Sequence, residues 1–132
     1  GEILAGLYAD ADFLLFPTAI GSEPVLDKDS MPHWRNAMIG QSALNIMPVL
    51  ASNRVGREDD VNSTMTFYGS SFMTDETGVL IESMDREEEG IRVHTYDLDK
   101  IMRKRREWGI FRDRRPEMYE EILTSDGKAH RE

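Results

Sequence analysis

The chain lacks cysteine altogether across its 132 residues. Within this stretch that excludes disulfide staples, thiolate metal sites and a cysteine nucleophile, and it fits a reducing compartment such as the cytoplasm. No apolar run reaches the roughly 18 residues a membrane-spanning helix needs, so no membrane partner is expected. A basic start followed by an apolar stretch and a small-residue cleavage site is also missing, so no secretory signal is expected. Histidine is scarce: His33, His94 and His130 lie far apart and share no ligand spacing, so no metal site is expected. Positive charge is in deficit, with 16 basic against 25 acidic residues and a net charge of −9. A nucleic-acid binder ordinarily carries the opposite sign, so no nucleic-acid partner is expected.

What positive charge there is collects in one place. Lys100 to Arg115 holds eight basic and two acidic residues, whereas the rest of the chain holds eight and 23. Trp108 and Phe111 sit beside Arg112, Arg114 and Arg115. Aromatic residues and arginine are enriched at protein interfaces, so this block reads as a solvated helix face continuing into a subunit-contact arm.

With 39% apolar residues the chain is rich enough for a packed core. Ile3, Leu4, Leu7 and Tyr8 have helical spacing, and Phe13 to Phe16 reads as a strand buried on both faces and stopped by Pro17. Residues 17–32 read as a long loop. A helix is expected from His33, with Ala37, Gly40, Leu44 and Met47 on its buried face and with Gly40, Ser42 and Ala43 allowing close approach to a sheet. Val49-Leu50-Ala51 reads as a second buried strand, and residues 53–63 as polar and exposed. Thr64 to Met73 alternates, Asp75-Glu76-Thr77-Gly78 suits a hairpin turn, and Val79 to Met84 returns. The alternation of Ile91, Val93 and Thr95 predicts a further strand. Asp97 can cap a helix running to Trp108, with Gly109 ending it and with Leu98, Ile101, Met102 and Arg105 on one face. Pro116 then opens a last helix whose apolar face is Met118, Tyr119, Ile122 and Leu123. The pattern is an α/β layered one, with five strands in a sheet of mixed direction. Residues 1–127 form one structural portion and residues 128–132 a disordered tail.

Several short motifs fail on their own chemistry. Asp27 to Pro32 starts like a calcium loop but places proline where glycine must turn. Gly69-Ser70-Ser71 lacks the second glycine of a nucleophile elbow and reads as a tight backbone crossing. The segment Pro17 to Pro24 is more informative, because it follows a buried strand and ligands of α/β sheets lie beyond the carboxyl ends of strands. Glu23 is its one ionisable group, a carboxylate suited to a cationic ligand group.

Five segments occur in a telling order: Phe16 to Pro24, His33-Trp34-Arg35, Ala51 to Arg54, Thr66 to Phe72, and Trp108 to Pro116. Together they resemble the C-terminal half of the N-carbamoylputrescine amidase family, within the nitrilase (carbon–nitrogen hydrolase) superfamily. The resemblance runs from about residue 12 to about residue 127. It implies a partial α-β-β-α sandwich, C-terminal half only, and hydrolysis of a carbamoyl amide to putrescine, carbon dioxide and ammonia without a cofactor. Family members use a cysteine nucleophile, a glutamate base and an oxyanion-stabilising lysine. The resemblance places all three upstream of Gly1, so no catalytic residue is expected in this chain.

What the resemblance leaves here is a small-molecule pocket wall and a homo-oligomer surface. Thr18, Ala19, Ile20, Ser22 and Glu23 are expected to face the substrate, with His33 and Trp34 near them or else packing at the helix start. Glu23 would take the distal ammonium. Trp108, Phe111, Arg112, Arg114 and Arg115 are expected at the subunit interface. Two other assignments fit the same residues. One is a different amidase of the superfamily, such as a ureido-acid hydrolase; the other is a non-catalytic association module.

Overall fold

The computed structural model describes residues 11–22 and 29–126, apart from the side chain of Glu121. The expected helix at residues 3–8, Glu23 and the tail at 128–132 lie outside the described residues. Among the described residues, seven strands and two α-helices follow in chain order. They are β1 (Leu14–Thr18), β2 (Gly21–Ser22), α1 (Met31–Asn45), β3 (Val49–Asn53), β4 (Val55–Asp59), β5 (Thr64–Tyr68), β6 (Phe72–Thr74), β7 (Leu80–Ser83) and α2 (Leu98–Trp108). Two short 3-10 turns, Pro116–Met118 and Glu120–Leu123, complete the set.

The strands form two sheets rather than one. The larger has the order β1-β3-β6-β7, with β1 and β3 parallel and the rest antiparallel. The smaller is antiparallel, in the order β2-β5-β4. The connection from β1 through α1 to β3 is the crossover that a parallel pair requires. The α/β character expected from the sequence is therefore present, in a mixed-direction sheet with helices packed on it.

Register decides which side chains form the core. Leu14 pairs with Val49, and Phe16 with Ala51, which in turn pairs with Phe72. These residues share one face and carry α1. Trp34 of α1 meets Phe72 edge-on at 5.6 Å and Tyr68 at 5.7 Å. With Leu14, Met47, Val49 and Ala51 these aromatics make the core cluster. Each fully buried large side chain there contributes roughly 1.5–3 kcal/mol of transfer free energy. The opposite face carries Leu15, Leu50, Met73 and Glu82, and Leu15 is 67% exposed. A groove of about 480 Å³ runs over this second face, between the sheet and residues 90–92. Among the described residues β1 is thus covered on one face, not on both.

Pro17 does not stop β1. Leu14 N–H donates to the Pro48 carbonyl, so alternate residues of β1 turn their amides toward β3. The nitrogen of Pro17 falls on the other side, where no described strand pairs with β1, so among the described residues its missing N–H removes no ladder bond. The loop expected over 17–32 is accordingly shorter, with Pro17 and Thr18 in β1, Gly21 and Ser22 in β2, and the helix beginning at Met31.

The buried stripe of α1 also differs from the expected one. Trp34, Ser42 and Asn45 are buried, whereas Leu44 is 66% exposed and Gly40 has open space around it. The stripe contains polar residues because their groups are satisfied: Ser42 Oγ donates to the Asp75 carbonyl at 2.8 Å, and Asn45 Nδ2 donates to the Gln41 carbonyl at 2.8 Å. An apolar pattern could not reveal it. The helix ends with Ile46 in the left-handed region, at φ 48°. Arg105 of α2 is buried and donates Nη2 to the Ile46 carbonyl at 3.2 Å and Nη1 to the Ala11 carbonyl at 3.2 Å.

α2 follows the sequence closely. Asp97 accepts from the Lys100 amide, Gly109 closes the helix at φ 62°, and Ile101 and Arg105 face inward. The turn Asp75 to Gly78 joins β6 to β7 as expected. Residues 55–59 are polar and mostly exposed as expected, and they also form an edge strand, because backbone pairing to β5 suffices without apolar alternation. Two other expectations fail. Ile91 and Val93 are 85% and 81% exposed, and no described strand pairs with them. Residues 116–123 form 3-10 turns whose Met118, Ile122 and Leu123 face solvent, so no amphipathic helix is buried there.

Candidate active-site wall

β1 and β3 are parallel neighbours, and both end at the same level, with Thr18 paired to Asn53. In open α/β sheets the region beyond such carboxyl ends is where ligands bind. The chain after Thr18 crosses this end as Ala19-Ile20 and enters β2, which pairs with β5. Gly21 is required there: a Cβ would stand 2.2 Å from the Thr66 carbonyl oxygen, so only glycine lets β2 lie this close to β5.

Asn53 fastens this crossing. Its Oδ1 accepts from the Ile20 N–H at 2.9 Å and from the Thr18 hydroxyl at 3.0 Å. Its Nδ2 donates to the carbonyls of Ile20 and Gly69, both at 2.9 Å. All four bonds open to a side-chain amide are therefore made. The amide orientation follows from the network, since turning it over would set Nδ2 against the Ile20 N–H and Oδ1 against two carbonyls. The backbone N–H of Asn53 donates to Ser71 Oγ at 3.0 Å, and the Arg54 amide donates to the Thr18 carbonyl at 3.2 Å.

The Gly69-Ser70-Ser71 segment is a tight crossing between β5 and β6. Gly69 has φ 48°, and a Cβ on it would lie 2.5 Å from the Arg86 carbonyl oxygen. Ser70 is also left-handed, at φ 60°, with its Oγ donating to the Tyr68 carbonyl at 2.7 Å. Strain of this kind persists only where surrounding contacts hold it. Arg35 supplies one, donating to the Ser70 carbonyl at 3.4 Å. Arg54 lies over the Phe67 ring at 4.4 Å, and its guanidinium also pairs with Glu58 at 2.6 Å.

The residues singled out in the sequence divide as follows. Thr18, Ile20 and Ser22 are half-buried and Ala19 is exposed, all on the crossing at the sheet end. His33 is exposed on the first turns of α1. Trp34 is buried in the core, which Ile20 also packs against. Asn53 is not among the site residues that the sequence marks. The signal that marks it is its place at the end of the strand parallel to β1, in the same row as Thr18.

The basic block is split between two tasks. Arg105 is interior, whereas Trp108 is 68% exposed and Phe111 carries Arg114 above its ring at 5.6 Å. Arg112 pairs with Asp113 at 2.7 Å and Arg115 with Glu117 at 2.9 Å, all at the surface. Asp113 holds the Arg112 guanidinium above its usual pKa by its hydrogen bond first and its charge second. A groove of about 360 Å³ lies between Arg105, Arg106, Gly109, Phe111 and Arg112. Among the described residues no helix is long and apolar enough to cross a membrane.

Residues 8–106 match the carbon-nitrogen hydrolase family. The chain is 48% identical over 122 residues to an N-carbamoylputrescine amidase of Solanum tuberosum, covering 89% of this chain and 41% of that protein. It is 52% identical over 114 residues to a citrullinase of Francisella tularensis, covering 86% of this chain and 40% of that protein. Among solved structures, a carbon-nitrogen hydrolase from Helicobacter pylori G27 superposes with a TM-score of 0.78 at 28% identity, covering 95% of this chain and 46% of that one. The NitFhit protein of C. elegans, at 20% identity and a TM-score of 0.67 over 88% of this chain and 26% of that one, shares the fold. The chain thus spans about two-fifths of the length of the curated relatives it matches. Sheet topology, sequence match and structural likeness agree that the chain belongs to the carbon-nitrogen hydrolase family, in the nitrilase superfamily.

Proposed function

We propose that this chain forms the substrate-end wall and an assembly surface of an amidase that hydrolyses the carbamoyl C–N bonds of N-carbamoylputrescine. One water and the ureide give putrescine, carbon dioxide and ammonia, a reaction of polyamine synthesis in the cytoplasm. The carrying observation is the identity of 48% over 89% of the chain to an N-carbamoylputrescine amidase. The nucleophilic cysteine, the glutamate base and the lysine come from outside these 132 residues, which contain no cysteine. A thiolate would attack the carbamoyl carbon, and the lysine would meet the charge developing on oxygen.

This chain's part is recognition. The crossing from Thr18 to Ser22 forms the wall, and Glu23, which follows directly, receives the distal ammonium. That group has a pKa of roughly 10 and is charged at neutral pH. Trp108, Phe111 and the Arg112, Arg114 and Arg115 arm meet another copy of the chain.

The 52% identity to a citrullinase supports a second substrate, citrulline. Citrulline also carries an ammonium at the far end of its alkyl chain, but with a carboxylate beside it. An acidic residue at that end serves the ammonium and opposes the carboxylate, which favours N-carbamoylputrescine.

The test is ammonia release by the full gene product from N-carbamoylputrescine, citrulline and carbamoyl-β-alanine. N-carbamoylputrescine is expected to give the highest kcat/KM. Glu23→Gln should raise its KM by about tenfold, the order expected on losing one charge-assisted hydrogen bond. A preference for citrulline, or an unchanged KM in Glu23→Gln, overturns the assignment. A gene product with no cysteine at the nucleophile position would point instead to a non-catalytic association module.

A further inference from the structure

We propose that Asn53 is a positioning residue for substrate recognition, setting the placement of the Thr18–Ser22 wall without touching substrate itself. The proposal rests on the amidase reading of that wall and adds the residue on which its geometry depends.

Between the end of β1 and the start of β2, the backbone of residues 19 and 20 belongs to neither sheet among the described residues. Thr18 ends β1, an edge strand among the described residues, and Gly21 begins a strand of only two residues. Between them Ala19 is exposed and takes part in neither sheet. Ile20 stands at the centre of this gap, and both its N–H and its carbonyl are bonded to the one side chain of Asn53. An amide that clasps both polar groups of a single residue acts as a substitute sheet partner. It fixes the plane of the peptides on either side of Ile20, and hence the direction in which Thr18, Ala19 and Ser22 present their side chains.

The same amide reaches two further elements. Oδ1 lies 3.0 Å from the Thr18 hydroxyl, whose single proton it shares with the Ser52 carbonyl at 3.1 Å. Nδ2 takes the Gly69 carbonyl of the β5–β6 crossing. The wall is thereby referenced to β3 and to the crossing at once, and these are the packed elements carrying Ala51, Tyr68 and Phe72 of the core. Asn53 itself is held from behind, because its backbone amide is bonded to Ser71 Oγ. Such a chain of contacts transmits the rigidity of the sheet to a segment that lacks regular pairing of its own. Recognition needs that rigidity, since misplacing a contacting group by about 1 Å can cost on the order of 100-fold in rate.

The test compares two ligands in the full gene product. N-carbamoylputrescine presents a ureide and a distal ammonium; n-butylurea keeps the ureide and the four-carbon chain but ends in a methyl group. Its competition constant is measured against N-carbamoylputrescine turnover. Asn53→Ala should lower kcat/KM for N-carbamoylputrescine at least roughly tenfold, mainly through KM, while the butylurea constant moves less than about threefold. Asn53→Asp retains the acceptor for the Ile20 N–H but turns a carboxylate oxygen on the Ile20 and Gly69 carbonyls, so its loss for N-carbamoylputrescine should be at least as large as that of Asn53→Ala. Asn53→Asp also serves as the readout if Asn53→Ala does not fold. Equal shifts for both ligands, as general damage to the fold would produce, overturn the proposal, as does a wild-type profile in Asn53→Asp. A wild-type gene product that hydrolyses no ureide overturns the amidase reading and this assignment with it.

Discussion

The ammonium of Lys104 on α2 lies 2.8 Å from Glu76 Oε1 in the turn between β6 and β7. The carboxylate is mostly buried, its side chain 11% exposed, while that of Lys104 is 33% exposed. This pair fastens the second helix to the end of the four-stranded sheet remote from β1. Tyr96, in the segment leading into α2, adds a bond to the Thr74 carbonyl at 2.9 Å.

The pair makes stability depend on pH with a defined sign. Burial is the strongest influence on Glu76 and pushes its pKa up. The hydrogen bond from Lys104, the residue's own amide and the Lys104 charge together outweigh it, so the carboxyl titrates below its usual value. A depressed carboxyl contributes stability above its unfolded pKa of roughly 4.3 and loses it as pH falls through the folded value. Glu76→Gln should therefore lower the melting temperature at pH 7 by about 3 °C, for a contribution of about 1 kcal/mol. The gap to wild type should close as pH falls below about 4. Melting curves at several pH values check this, and a gap that stays constant with pH contradicts it.

Ile46 offers a test of backbone strain. It sits at φ 48° and ψ 56°, in the left-handed region that disfavours a β-branched residue. Its side chain is buried, so removing it costs stability whatever replaces it. Comparing Ile46→Gly with Ile46→Ala cancels most of that loss and leaves the backbone term. Ile46→Gly should be the more stable of the two by about 1 kcal/mol, the reverse of their usual order. Denaturant midpoints for the two variants decide it.

His33 and Trp34 are adjacent in sequence and opposite in role. Trp34 fills the space between Tyr68 and Phe72, so Trp34→Ala should cost about 3–5 kcal/mol. His33 is exposed, and His33→Ala should change stability by no more than about 0.5 kcal/mol. Unfolding curves for the pair of variants check the contrast, which fails if the two losses are similar.

The parts of this fold that were legible in the sequence are those whose signals are local. Asp97 and Gly109 mark α2 because capping chemistry depends on one residue at each end. Asp75 to Gly78 mark their turn in the same way. The parts that were not legible depend on partners distant in sequence. Ile91 and Val93 alternate as a strand should, yet pairing needs a neighbour and no described strand supplies one. Residues 55–59 lack apolar alternation and still form a strand, because β5 does supply one. In α1 the inward Ser42 and Asn45 look like surface residues until their carbonyl partners are known. Asn53 was hidden for the same reason: of its four side-chain bonds, three reach residues 33 or 35 positions earlier and the fourth a residue 16 positions later.

The hairpin of β4 and β5 has a consequence for engineering. Its tip, from Asp60 to Ser63, closes with an Asp60 N–H bond to the Ser63 carbonyl at 2.8 Å, and Val61 is 92% exposed. The tip lies a full strand length from Tyr68 and Asn53, and its side chains bury nothing. Foreign sequence spliced between Val61 and Asn62, such as an epitope or a dye-acceptor cysteine in this cysteine-free chain, would be carried outside the core and clear of the Asn53 network. The absence of any native thiol means that a single introduced one would be the only site in these residues to take a thiol-directed label.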